Sequence, residues 1–190
     1  MLTPTRLKIR PLERTDVAAM LDIIREARAE YGLAGRVESL LEPADLELHD
    51  TYGKRRALYQ VAWLDGEIVG GAGVAPLSGS DPLTCELQRM YLRRDARGLG
   101  IGTRLLEACF DAARRFWFVR CYAETISEME PALAFYARHG FVMLPAALGS
   151  TGHGHSDRWL MRELGKKRTQ EGRPLRPTAE LKISLKPSSS

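Results

Sequence analysis

The first regular pattern is short: Leu7-Lys8-Ile9-Arg10 alternates apolar and polar residues like a β-strand. The period then changes. Val17, Met20, Leu21, Ile24 and Ala27 recur at helical spacing behind Asp16, which can cap a helix running to about Glu30. From Tyr31-Gly32 to Pro43 the pattern lapses into a glycine-containing loop with a short apolar stretch, and residues 45–52 predict a second, short helix. The strongest local signal follows. Apolar runs at 58–63 and 68–74 flank Asp65-Gly66, two residues that tolerate the positive φ of a type I′ turn, so a β-hairpin is expected. Gly70, Gly71 and Gly73 in its second arm mark a bulge or the close approach of another backbone or a ligand. Residues 85–92 read as a further strand that feeds Arg97-Gly98-Leu99-Gly100-Ile101-Gly102 and a helix over about 100–115, with Ile101, Leu105, Cys109 and Ala112 as its buried stripe. A strand over 119–125, a helix over about 129–138 with Pro131 in its first turn, and strands over 141–144 and 157–164 complete the pattern. A loop at 149–155 joins the last two.

This order implies an α/β fold: a mixed sheet with an antiparallel front half and a strand–helix–strand crossover behind. The 190 residues, 44% of them apolar, suffice for one domain with a sizeable core. We place that domain at 1–164 and read 165–190, rich in Lys, Arg, Pro and Ser, as an appended tail. The formal charge of +4 changes meaning once it is located. Residues 166–190 carry seven Lys/Arg against two Asp/Glu, hence +5, which leaves −1 for residues 1–165. The domain therefore lacks the basic footprint of a nucleic-acid-binding protein. Cys85, Cys109 and Cys121 show no ligand spacing and are expected as buried free thiols, without a metal. With no apolar run of 18 residues and no signal-like start, a soluble cytoplasmic protein is expected and no membrane partner.

The turn at 97–102 ends a strand and opens a helix, so it exposes unpaired backbone N–H groups at a positive dipole end, a site for phosphate oxygens. Spacing separates its uses. A dinucleotide fingerprint counted from Gly98 requires glycine where Thr103 stands, and a P-loop requires Gly-Lys-Ser/Thr, which is absent. What remains, Arg-x-x-Gly-x-Gly, resembles the pyrophosphate loop of the GNAT acetyltransferase superfamily. Phe135-Tyr136-Ala137-Arg138-His139-Gly140-Phe141 is similar to a second segment of that superfamily, F-Y-x-x-x-G-F, in the right order downstream.

The resemblance implies a mainly antiparallel sheet of six to seven strands flanked by about four helices and splayed between the fourth and fifth strands. It implies acetyl-CoA as acyl donor, with the pantetheine arm along Met90, Tyr91 and Leu92. The backbone from Arg97 through Gly98, Leu99, Gly100, Ile101 and Gly102 to Thr103 would hold the pyrophosphate, and the Met90 amide would polarise the thioester carbonyl. Transfer to an amine needs a base, an oxyanion donor and an acid for the departing thiolate. Strand alternation puts Glu86 on one face with Gln88, Met90 and Leu92, about 13 Å along from Met90, so Glu86 can serve as base directly or through water. It can equally be only a solvated or ion-paired carboxylate. Tyr136 aligns with the superfamily's thiolate-protonating tyrosine, or is simply a core aromatic. Met129 stands where many members carry asparagine, so that residue's hydrogen bond to the coenzyme is absent or replaced. Glu124 and Thr125 at a strand end, with Thr151, His153 and His155 on the last loop, are acceptor-side candidates, and either histidine is an alternative base. Residues 31–42 would form the other wall, with Glu38 and Glu42 attracting a cationic amine. The function implied is N-acetylation of a primary amine on a small molecule, amino acid or peptide, the alternative being a catalytically silent acyl-CoA sensor. Homodimers are common among proteins that look like this one.

Overall fold

The hairpin around Asp65-Gly66 forms as its sequence dictates, with φ of 49° and 107° at the two turn residues. It joins β2 (Leu58–Leu64) to β3 (Glu67–Pro76) at the front of the sheet. The structure, a computed structural model, describes residues 6–31, 41, 43–152 and 154–165. The remaining strands are β1 (Leu7–Pro11), β4 (Thr84–Leu92), β5 (Arg120–Thr125), β6 (Val142–Met143) and β7 (Arg158–Glu163). The helices are α1 (Val17–Glu30), α2 (Pro43–Leu46), α3 (Leu48–Tyr52), α4 (Ile101–Arg115) and α5 (Glu130–Arg138). The short helix expected over 45–52 is interrupted at Glu47, which leaves α2 and α3 as two pieces. The tail, residues 166–190, lies outside the described residues.

The seven strands run in the order β1-β2-β3-β4-β5-β7-β6. All neighbours are antiparallel except β4 and β5, which the α4 crossover makes parallel. One face buries Met20 and Ile24 of α1 with Leu48, Tyr59 and Val61. The other buries Leu105, Leu106, Cys109 and Phe110 of α4 with Tyr136 and Phe141. All three cysteines are free and buried. Asp16 does not cap α1. A 3-10 turn, Arg14–Asp16, precedes the helix, and the Asp16 carboxylate instead accepts the Glu13 N–H (2.8 Å) and the Arg10 guanidinium (2.6 and 2.9 Å), tying β1 to the helix start.

The feature that positions the site is a bulge in β4. Gly71 pairs with Tyr91 but Gly73 with Gln88, so Arg89 and Met90 together oppose Ala72. Arg89 adopts φ of 49°, a left-handed conformation that costs a bulky residue about 1–3 kcal/mol. Its surroundings hold it there. The Tyr59 hydroxyl donates to the Arg89 carbonyl (2.8 Å), and the guanidinium donates to Asp45, which is fully buried and also accepts Arg28 (2.6 Å). Beside the bulge, parallel pairing of β4 with β5 covers only Thr84–Leu87 against Arg120–Ala123. Beyond Leu87 the two strands splay, and the edge of β4 that faced β5 loses its partner strand.

The glycines of β3 are a packing requirement of this same region. A Cβ at Gly71 would collide with the Tyr59 ring and lie 2.8 Å from the Gln60 carbonyl oxygen, and one at Gly73 would collide with the Tyr52 ring. Gly71→Ala should therefore lower the unfolding free energy by about 1–3 kcal/mol, read by urea denaturation. Unchanged stability would mean that the tyrosine does not press on the strand.

Candidate active site

The turn between β4 and α4 is built by backbone conformation first. Gly98 and Gly100 take φ of 77° and 75°, and a Cβ at either would meet nothing within 4 Å, so glycine is required for the left-handed turn and not for want of space. Gly102 is different: a Cβ there would touch Leu92 and Phe135 at 3.4 Å, so it sets how closely α4 approaches β4 and α5. Arg97 anchors the turn from both sides, donating to the Leu92 carbonyl (3.1 Å) and gripping the Glu30 carboxylate at the end of α1 (2.9 and 2.8 Å). That pairing holds the Glu30 carboxyl below its ordinary range.

A cavity of about 400 Å³ extends from this turn along the unpartnered stretch of β4. Arg97, Gly98, Gly100, Gly102 and Thr103 line its outer end. Met90, Tyr91 and Leu92 line its length, with Phe135 and Tyr136 of α5 opposite. Leu99 is exposed and Ile101 is buried in the core, so among the turn residues these two put no side chain into the cavity. The Tyr136 hydroxyl has no hydrogen-bond partner among the described residues. Burial pushes its pKa well above the ordinary tyrosine value, with Tyr91 nearby adding to the shift, so it stays protonated at neutral pH. His139, which the motif reading passed over, bridges α5 to the turn: its Nδ1 meets the Phe135 carbonyl (2.8 Å) and its Nε2 the Thr103 hydroxyl (3.1 Å).

A second, smaller cavity of about 90 Å³ opens at the point where the sheet splits. Glu86, Gln88, Glu124, Thr125 and His155 line it, and it shares Tyr91 and Met129 with the first. Here one expectation fails. Glu86 does not share a face with Met90 and Leu92, because the extra residue of the bulge reverses the alternation. Glu86 and Gln88 lie toward α3, where Tyr52 donates to Gln88 (2.9 Å), whereas Met90 and Leu92 pack on the α4 face. The splay still brings both sets to one gap. Glu86 is 3% exposed, and its pKa is pushed up to about 7, first by burial and then by the Glu124 charge, against the opposing Gln88 hydrogen bond and Arg89.

Glu124 accepts the Tyr122 hydroxyl (2.8 Å) and the Thr151 hydroxyl (2.9 Å) through one oxygen, Oε1. Tyr122 was missed in the sequence, although it stands two residues before Glu124 and thus on its face. The Thr125 hydroxyl donates to the Met129 thioether (3.4 Å), so the N-terminus of α5 carries a soft apolar group facing both cavities. His153, Glu38 and Glu42 lie outside the described residues, as does most of the expected wall at 31–42. No group of three His, Cys, Asp or Glu that could hold a metal occurs among the described residues, and no helix among them is long and apolar enough to cross a membrane.

Fold and cavities together define a class, and comparison identifies it. The profile of the Acetyltransferase (GNAT) family matches residues 19–141, and the chain belongs to that family. YjgM, an uncharacterized N-acetyltransferase of Escherichia coli, is 38% identical over 164 residues, covering 86% of this chain and 98% of YjgM. A GNAT-family acetyltransferase structure from Staphylococcus aureus superposes with a TM-score of 0.73 at 20% identity, covering 84% of this chain and 100% of its own. YncA of Salmonella typhimurium, solved with its cofactor acetyl-CoA, superposes at 0.68 with 18% identity over 85% of this chain and 95% of its own. The chain is an acyl-CoA-dependent N-acetyltransferase with acetyl-CoA as donor, and amines are its class of acceptor.

The raised pKa of Glu86 has a consequence for stability with a definite sign. Between the usual glutamate range and about pH 7 the folded chain holds a proton on Glu86 that the unfolded chain has released, so rising pH through that window destabilises the fold. Glu86→Gln carries no such loss. It should match the wild type near pH 4.5 and exceed it by about 3 kcal/mol at pH 8 in parallel denaturation series. Curves that stay parallel across this range would show that Glu86 ionises normally.

Proposed function

We propose that this chain transfers acetyl from acetyl-CoA to a primary amine of a small molecule, amino acid or peptide by direct attack on the thioester. The catalytic domain spans residues 1–164, and the basic tail from 165 takes no part in the chemistry. The setting is the cytoplasm, where the buried thiols stay reduced. One observation carries the reading: two cavities, one mainly apolar and bounded by the glycine turn, the other polar with Glu86 and Glu124 in its wall, meet at Tyr91 and Met129 beside the open edge of β4.

In this reading the amides from Gly98 to Thr103 hold the pyrophosphate and the pantetheine arm lies along Met90 to Leu92. The acceptor enters the smaller cavity as an ammonium ion. Glu86, ionised above about pH 7, takes one proton from it, directly or through water. The freed amine attacks the thioester carbon, and the Met90 N–H stabilises the oxygen as it becomes an oxyanion. The new C–N bond persists while the C–S bond breaks. Tyr136 gives its proton to the departing thiolate and regains one from the nitrogen. The products are the acetamide, the free coenzyme thiol and the proton left on Glu86, which passes to solvent. Thr125 and His155 line the acceptor route, and His153 belongs to the same loop.

A thiol-release assay with acetyl-CoA and a panel of primary amines tests the reading, with calorimetry of acetyl-CoA binding beside it. Glu86→Gln and Tyr136→Phe should each lower kcat by about 10²–10⁴-fold while the acetyl-CoA KM changes far less. Full kcat in both variants would remove their assigned roles, and tight binding of acetyl-CoA with no turnover on any amine would favour the silent sensor.

A further inference from the structure

Glu86 is not the only carboxylate in the acceptor cavity, and the second is arranged differently. Glu124 stands on β5, two residues beyond Tyr122, the register partner of Glu86 on β4, so both glutamates face the same small space. Two hydroxyls fix its orientation, both on Oε1: Tyr122 (2.8 Å) and Thr151 (2.9 Å). Tyr122 is itself set in place by the Leu148 N–H, which donates to its oxygen (3.2 Å). The other oxygen, Oε2, has no hydrogen-bond partner among the described residues. A carboxylate oriented through one oxygen presents the other to a donor in the cavity.

The remaining charged and titratable groups around the pair come from each element packed against it. Arg28 of α1 and Arg89 of β4 are paired with the buried Asp45 of α2, Tyr52 of α3 donates to Gln88, and Tyr91 accepts from Arg28. His155 completes the rim from the loop before β7.

We infer that Glu124 is the ammonium-holding carboxylate of the acceptor site, binding the acceptor as its alkylammonium ion through Oε2. This rests on the acetyl transfer proposed above. The incoming cation offsets the Glu124 charge, Glu86 releases its proton to solvent, and it is then free to take one from the ammonium. The substrate class that follows is an amine that is cationic at the working pH, selected over amines that are neutral there. Glu86 removes a proton from what Glu124 holds, so the two carboxylates divide binding from chemistry.

Wild type and Glu124→Gln, both as the full chain, are compared in the thiol-release assay from pH 5.5 to 9, with primary alkylamines, diamines and amino acids as cationic probes and aniline as the neutral one. In the wild type the cationic probes should be preferred, and their kcat/KM should rise through about pH 7. In Glu124→Gln the KM for the best cationic probe should rise about ten- to hundredfold, the acetyl-CoA KM should stay within about twofold, and the rising limb should move to lower pH. Glu124→Asp should restore part of the cation preference. A variant whose amine KM and pH limb match the wild type overturns the role of Glu124 while leaving acetyl transfer standing. A uniform loss of kcat with the limb unmoved marks a merely structural residue and also overturns it, as does a wild type that prefers aniline. A wild type that acetylates no probe removes the parent reading, and this inference with it.

Discussion

The centre of this protein depends on a single irregularity, the bulge that makes Arg89 and Met90 share one position opposite Ala72. A regular β4 would keep its alternation and present one side chain set to each face along its whole length. The bulge reverses that alternation halfway, so Glu86 and Gln88 serve one face while Met90 and Leu92 serve the other. It also coincides with the end of pairing to β5. Past Leu87 the strand has neighbours on one edge only, and backbone groups on the other edge are left facing a gap. The left-handed Arg89 is strained, and the price is met by the Tyr59 hydroxyl on its carbonyl and the buried Asp45 on its guanidinium. Gly71 and Gly73 belong to this arrangement because the rings of Tyr59 and Tyr52 occupy the space that side chains there would fill.

From that opening the two cavities take opposite chemical characters. Along β4 toward α4 the walls are mainly apolar and end at the glycine turn that opens α4, an environment matched to a long flexible arm with an anionic end. At the apex the walls are polar, and burial of Glu86 beside Glu124 raises its proton affinity into the range where a base can work at neutral pH. Tyr91 and Met129 separate the two. The Arg97–Glu30 pair ties the turn to the end of α1, so the outer end of the larger cavity is fixed to that helix.

Much of this was legible in the residues. The Asp65-Gly66 turn, the helical stripes of α1 and α4 and the 97–102 turn are local signals, carried by backbone preference and period, and each appears within a residue or two of its expected place. The β3 glycines flag a bulge or a close approach, and the register does shift between Gly71 and Gly73, but that the extra residue sits on β4 is a pairing that only the sheet reveals. Missing it put Glu86 on the face of Met90. Asp16 was misread for a related reason: its cap-like sequence position is overruled by Arg10, brought near by the fold. The Glu124–Tyr122–Thr151 group joins a strand to a loop 27 residues away from Glu124, beyond the reach of any periodicity.

The central claim is that the open edge of β4 and the glycine turn receive the donor together. Amide hydrogen exchange of the full chain with and without coenzyme A tests it residue by residue. The account predicts that bound coenzyme slows exchange at the amides of Met90 and Leu92 and across 98–103, with β1 and β2 unchanged. Protection confined to other segments, or tight binding that leaves the β4 edge exchanging as before, would contradict it.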